Sequence, residues 1–323
     1  MSSTINVTVH SSQFPDSVRD ALGESLRSRR IAPKFHYASY KQAQLWMALH
    51  RSFSPAFFDP DCLLAYHRGF EAAAGLLGPR VKVIGLGCGD GKKEARLLAL
   101  LKSRGAELSF VPCDVSLPLL LTAAAKAASL HVPCRPLLCD LALAPDLPEV
   151  FDSLGGADAP RILTFFGMIP NLEPEQIPPG FLARPADLLL LSANLAPGPE
   201  YRAGVERVLP GYDNSKTRAW LSAFLEDLGA EPGDGEIEFS IEETGGLWRI
   251  VGNFRFAHER ELVVHSEHFL FQPGGVVRLF FSYRHTSATI RQLLRERGLD
   301  IVEEWITKSQ EEGVFLCRRL VPG

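Results

Sequence analysis

Between Arg80 and Leu195 the chain alternates short, unbroken apolar runs with longer segments of helical periodicity. The apolar runs are Val81 to Ile84, Leu108 to Pro112, Arg135 to Leu138, Arg161 to Phe166 and Ala186 to Leu191, and the helical segments include Lys92 to Ser103 and Leu117 to Leu130. Strands that are apolar throughout, rather than at every second position, are buried on both faces, and helices between them make the sheet parallel. This stretch therefore predicts a doubly wound α/β unit. After Pro197 the texture changes. Tyr201 to Leu228 reads as helix, and Ile237 to Tyr283 reads as extended segments punctuated by Gly245-Gly246 and Gly274-Gly275, which predicts an antiparallel sheet with a helix. The end returns to α/β, with a helix over Thr286 to Arg297 stopped by Gly298, a strand at Ile301 to Ile306 and another at Val314 to Leu320. A parallel sheet closed by an antiparallel strand is expected there. The segment before the first sheet strand, Phe14 to Phe70, carries scattered aromatics and prolines and is assigned mostly to a second domain.

The expected organisation is a Rossmann-like α/β domain over 61–196 and 284–323, with a smaller α+β substrate-recognition domain over 1–60 and 197–283. A chain of 323 residues is long enough to bury two cores. A net charge of −4 with no run of Lys and Arg gives no electrostatic footprint for nucleic acid, so a small-molecule partner is expected. Met1 to Gln13 does not read as a secretory signal and no apolar stretch is long enough to span a bilayer, so a cytoplasmic location with no membrane partner is expected. The six cysteines form no CxxC pair and have no His at ligand spacing, which argues against zinc or a disulfide framework; no metal is expected.

The most informative segment runs from Val81 to Lys93, where an apolar strand feeds into Gly85, Gly87, Gly89 and Gly91 and then into a helix. Alternate glycines allow positive φ and close approach of a ligand to the backbone, and the helix start offers free N–H groups to an anion. The G-x-G-x-G spacing differs from the G-x-G-x-x-G of dinucleotide folds. Acids follow the second and third strands, Asp114 in Val-Pro-Cys-Asp114-Val-Ser and Asp140 in Leu-Leu-Cys-Asp140-Leu. The first can accept both ribose hydroxyls and the second an adenine amino group. A tight turn and two helix caps would explain each feature alone. Their coincidence favours S-adenosylmethionine (SAM).

Several patterns together resemble the histidine-specific Nα-methyltransferase family, over nearly the whole chain. They are Pro33-Lys-Phe-His-Tyr37, the glycine loop, Cys-Asp114-Val-Ser, Cys-Asp140-Leu, Phe165-Phe-Gly-Met-Ile-Pro-Asn171-Leu, Gly-Tyr212-Asp-Asn and Phe-Leu-Glu-Asp-Leu-Gly-Ala230. The resemblance implies a class I SAM methyltransferase in which Gly87 and Lys93 hold the cofactor's methionine part, Asp114 its ribose, and Asp140 with Leu141 its adenine. It implies further that Asn171 and Tyr212 hold the α-amino and carboxylate groups of an amino-acid acceptor, with Tyr37 beside the amine. Tyr37, or a water it holds, is then the expected proton acceptor. The side-chain end departs from the family's pattern. Phe280, two residues before the retained Ser282, stands where a glutamate would read an imidazole, and Phe57 stands in place of a tyrosine. A buried unpaired imidazole N–H costs about 1–3 kcal/mol, so histidine is not the expected acceptor. An aromatic or aliphatic amino acid, an acceptor of another kind, and a non-catalytic SAM-binding protein all stay open.

Overall fold

Alternation along the buried strands determines the layering. Val81, Val83, Ile162, Leu188 and Leu190 belong to one apolar cluster, whereas Ile84, Leu86, Leu163, Phe165, Leu189 and Leu191 belong to another. Successive side chains of a strand point to opposite faces, so two such clusters mean a sheet covered on both sides. The computed structural model describes residues 4–155, 159–177, 184 and 186–320. Its strands are β1 (Thr8–Val9), β2 (Arg80–Leu86), β3 (Glu107–Asp114), β4 (Leu137–Leu138), β5 (Arg161–Phe166), β6 (Leu188–Asn194), β7 (Gly235–Thr244), β8 (Leu247–Phe256), β9 (Arg260–Val264), β10 (Glu267–Phe271), β11 (Val276–Arg284), β12 (Leu299–Ile306) and β13 (Glu312–Arg319). Its α-helices are α1 (Pro15–Arg27), α2 (Tyr40–Phe53), α3 (Pro60–Leu76), α4 (Lys92–Ser103), α5 (Leu117–Ser129), α6 (Leu147–Ser153), α7 (Tyr201–Val208), α8 (Ser215–Asp227) and α9 (Ser287–Glu296).

The chain divides into two compact units, the first of Met1–Ser12, Pro55–Leu195 and His285–Gly323, the second of Gln13–Ser54 and Ala196–Arg284. The first is a Rossmann-like α/β unit. Its sheet runs β1-β4-β3-β2-β5-β6-β13-β12, parallel from β1 to β6 and closed by antiparallel β13 and β12. Strand order reverses between β2 and β5, and the crevice beyond their carboxyl ends is where such sheets bind ligands. The second unit holds the three-stranded antiparallel sheet β11-β8-β7 and the hairpin β9-β10. Leu26, Phe35, Trp220, Phe224, Phe254 and Phe256 are among the residues of its core.

The division differs from the expected one at the start of the chain. Residues 1–12 and 55–60 go with the sheet, because the Thr8 and His10 N–H groups donate to Pro136 O and Leu138 O, each at 2.9 Å, and Phe57 lies against Lys92 at the start of α4. Among the described residues no helix is long and apolar enough to cross a membrane.

Candidate functional site

In the first unit, the sequence after β2 turns because three of its residues take conformations that favour glycine: Gly87, Gly89 and Gly91 have φ of +59°, +54° and +69°. A Cβ at Gly87 would lie 2.4 Å from Met168 Sδ, and one at Gly91 would lie 2.6 Å from Ala123 Cβ. Gly85, still within β2, leaves room for the side chains of Cys88, Glu94 and Phe110. Gly91 is also the N-cap of α4. At Gly87 and Gly91 the space beside the backbone is thus taken by Met168 and Ala123, and the loop turns tightly at the carboxyl end of the central strand.

Asp114, the last residue of β3, ties that loop to the sheet. Its Oδ2 accepts the Gly89 N–H at 2.8 Å and its Oδ1 the Ser116 N–H at 2.9 Å. Burial pushes its carboxyl up to about 6, against the opposing pull of the Ser116, Gly89 and Val115 N–H groups. A carboxylate has about four acceptor positions, and with three N–H groups drawing on them one remains for a hydroxyl. Asp140 follows β4, and its Oδ1 accepts the Ala142 N–H at 3.1 Å, capping a short 3-10 turn that contains Leu141. A tight glycine loop and acids at two neighbouring strand ends fit a nucleoside cofactor.

The flanks are aromatic and basic. Lys93 Nζ lies 4.8 Å from the centre of the Tyr66 ring and 5.7 Å from that of Phe166, while Lys92 Nζ lies 3.8 Å from that of Phe57. Glu94, on the first turn of α4, is buried; its Oε1 accepts the Thr164 hydroxyl at 3.0 Å, and burial pushes its carboxyl up to about 7. Asn171 ends a 3-10 turn after β5, its N–H donating to Met168 O at 3.0 Å. Gly85, Gly87, Gly89, Lys93, Asp114, Asp140, Leu141, Asn171 and Phe57 therefore all belong to this unit.

Tyr37, Tyr212, Phe280 and Ser282 belong to the second unit, where they are joined. The rings run Trp46, Tyr37, Trp220, Phe280, Tyr212, with successive centroids 5.8, 5.4, 6.1 and 5.8 Å apart. Phe280 and Ser282 lie on β11, two residues apart and hence on one face. The Tyr212 hydroxyl lies 3.0 Å from Ser282 Oγ and accepts from Arg284 Nη2 at 2.9 Å. Arg284, Glu94 and Met168 were not singled out in the sequence. For Arg284 the available signal is its i, i+2 spacing from Ser282 along β11.

A family model described as "Histidine-specific methyltransferase, SAM-dependent" matches residues 63–319 of the chain. No curated protein matches it. Among solved structures, the chain is similar to an S-adenosylmethionine-dependent methyltransferase from Clostridium acetobutylicum ATCC 824, at 11% identity and a TM-score of 0.47, covering 86% of this chain and 99% of that one. It is similar to the PH0226 protein from Pyrococcus horikoshii OT3 at 11% identity and a TM-score of 0.44, covering 85% and 98%. Mitomycin 7-O-methyltransferase MmcR aligns at 13% identity and a TM-score of 0.42, covering 94% and 68%.

Proposed function

Because the chain belongs to the SAM-dependent histidine-specific methyltransferase family, we propose that this methyltransferase N-methylates the α-amino group of a small amino acid or amino-acid-derived acceptor other than histidine. The observation that carries the acceptor reading is the cluster in the second unit. Two hydroxyls and a guanidinium, from Tyr212, Ser282 and Arg284, are hydrogen-bonded together, and the Phe280 ring lies 5.8 Å from that of Tyr212. The polar group suits a carboxylate headgroup, and the neighbouring ring suits a side chain with no N–H to satisfy.

In this reading the first unit holds the cofactor and the second selects the acceptor. Gly87 and Lys93 hold the methionine part, Gly85 and Gly89 shape the loop beside it, Asp114 accepts from the ribose, and Asp140 with Leu141 receives the adenine. The bound cofactor supplies an electrophilic methyl on a sulfonium. Methyl transfer is an in-line displacement, so the protein's contribution is mainly orientation and exclusion of water. Tyr212, with Ser282 and Arg284 beside it, fixes the acceptor's headgroup. The amine must be neutral to attack, and a water held by Tyr37 passes its proton to solvent as the complex forms. The faces of Trp46, Phe57 and Phe280 favour cationic groups, by about 0.5–2 kcal/mol each.

The test is calorimetric titration of the full chain with S-adenosylhomocysteine, followed by a panel of amino acids in its presence. Binding of the cofactor product and then of an aromatic or aliphatic amino acid, with histidine silent, is the expected result. Binding of histidine would overturn the acceptor reading. Cofactor binding with no amino acid bound would point to another acceptor, or to a protein that binds SAM without catalysis.

A further inference from the structure

The segment before residue 13 lies outside the residues matched by the family model and has no apolar run of its own. It nevertheless forms edge strand β1, paired in parallel with β4 through Thr8 with Leu137 and Val9 with Leu138. This pairing carries the chain past the end of β4 to the place where Asp140 stands. There Ser12 is 6% exposed, and its Oγ accepts the backbone N–H of Asp140 at 3.0 Å. The Ser12 hydroxyl also lies 3.9 Å from Cys139 Sγ.

His10 holds Ser12 in turn. A backbone N–H can only donate, so the Ser12 N–H at 3.1 Å makes His10 Nδ1 an acceptor. The ring proton then sits on Nε2, which donates to Asp146 Oδ1 at 2.9 Å. Ser12 Oγ is 2.8 Å from the same Nδ1. The Asp140 main-chain N–H is thereby held by Ser12, and its Oδ1 accepts the Ala142 N–H. The peptide plane between Cys139 and Asp140 sets where the Asp140 side chain departs, and Ser12 fixes that plane.

We propose that Ser12, locked by His10, is a positioning residue for adenine recognition. The N-terminal segment completes the cofactor's adenine subsite by fixing the peptide from which Asp140 reaches the exocyclic amino group. This rests on the reading of Asp140 as the adenine acceptor, and the experiment separates the two.

The full chain and its Ser12→Ala, Ser12→Thr, His10→Ala and Asp140→Ala variants are titrated with adenosine and with purine riboside, which lacks only the amino group. The wild type is expected to prefer adenosine, and Asp140→Ala to abolish the preference. Ser12→Ala is expected to reduce the preference by roughly threefold to tenfold, the range of one neutral hydrogen bond, while purine riboside binds as before. Ser12→Thr, which keeps the hydroxyl, restores it. His10→Ala frees Ser12 without removing it and lowers the preference in part, which keeps the test available should Ser12→Ala not fold. If Asp140→Ala leaves the preference intact, the reading of Asp140 fails and the proposal fails with it. If Asp140→Ala abolishes the preference but the Ser12 and His10 variants keep it, or lose both nucleosides equally, Ser12 only supports the fold and the proposal is overturned.

Discussion

Gly87 is held to glycine by its left-handed φ of +59°, since the Met168 side-chain end that a Cβ would meet is flexible and can shift. The φ alone costs an ordinary residue about 1–2 kcal/mol. Gly87→Ala is therefore expected to weaken S-adenosylhomocysteine binding by roughly tenfold or more, the scale of such local strain, in a calorimetric titration. Asp114 gives a pH dependence. Its carboxyl sits at about 6 rather than the usual 3.8 because burial disfavours the charge. Between those values the folded state holds a proton that the unfolded state has lost, so this group's contribution to stability falls as pH rises through that window. Ribose recognition has the opposite sign, since protonation removes acceptor positions. S-adenosylhomocysteine affinity is expected to fall as pH drops through about 6, and titrations at pH 5, 6 and 8 with Asp114→Ala as control check it. At the acceptor end, Phe280→Glu places a carboxylate beside Tyr212 and Ser282. Titration with histidine is expected to show roughly a tenfold gain or more over the wild type, the scale of one hydrogen bond to a charged group.

Elements were legible in proportion to how local their signals are. The bounds of α4 and β5 coincide with the segments read from periodicity, because an unbroken apolar run and a 3.6-residue stripe need no partner to be recognised. The segment Tyr201 to Leu228 proved to be two helices, α7 and α8, with Asn214 capping the second through the Lys216 and Thr217 N–H groups. Helices α1 to α3 do not stand out in the sequence pattern, although Pro15 and Pro60 open two of them and Ser39 with Gln42 forms a capping box at the other. Scattered aromatics hid these signals. Strand β1 left almost none, since two exposed residues make no pattern. Arg161, at the start of β5, is buried with Asp187, its Nε 2.9 Å from Oδ1 and its Nη2 paired with Oδ2. Arg161 Nη1 also donates to Asp152 Oδ1 at 2.8 Å, so the guanidinium keeps one carboxylate when the other is removed. Asp187→Asn is expected to cost about 1.5–3 kcal/mol, the worth of a hydrogen bond to a charged group, in urea unfolding of the full chain.

The chain passes between its two units at Ser12, Ser54, Leu195 and Arg284, so each unit is assembled from distant segments. A ligand that binds only the native state adds about 2.7 kcal/mol of stability at 100 times its Kd. With S-adenosylhomocysteine at that excess, amide exchange is expected to slow at the glycine loop, at Asp114 to Ser116 and at Asp140 to Ala142, while the β7-β8-β11 sheet of the second unit is expected to respond only when an acceptor is added. Exchange that slowed evenly over both units would contradict the separate roles. The sequence by itself determined the Rossmann-like architecture, the glycine loop and the strand-end acids, because apolar periodicity and glycine spacing are properties of neighbouring residues. Only the tertiary structure decided that Met168 closes on Gly87, that Arg284 meets Tyr212, and that Ser12 holds Asp140 across 128 positions of chain. Those contacts arise when strands are laid side by side, and strand order is set by how the whole apolar surface is buried rather than by any segment alone.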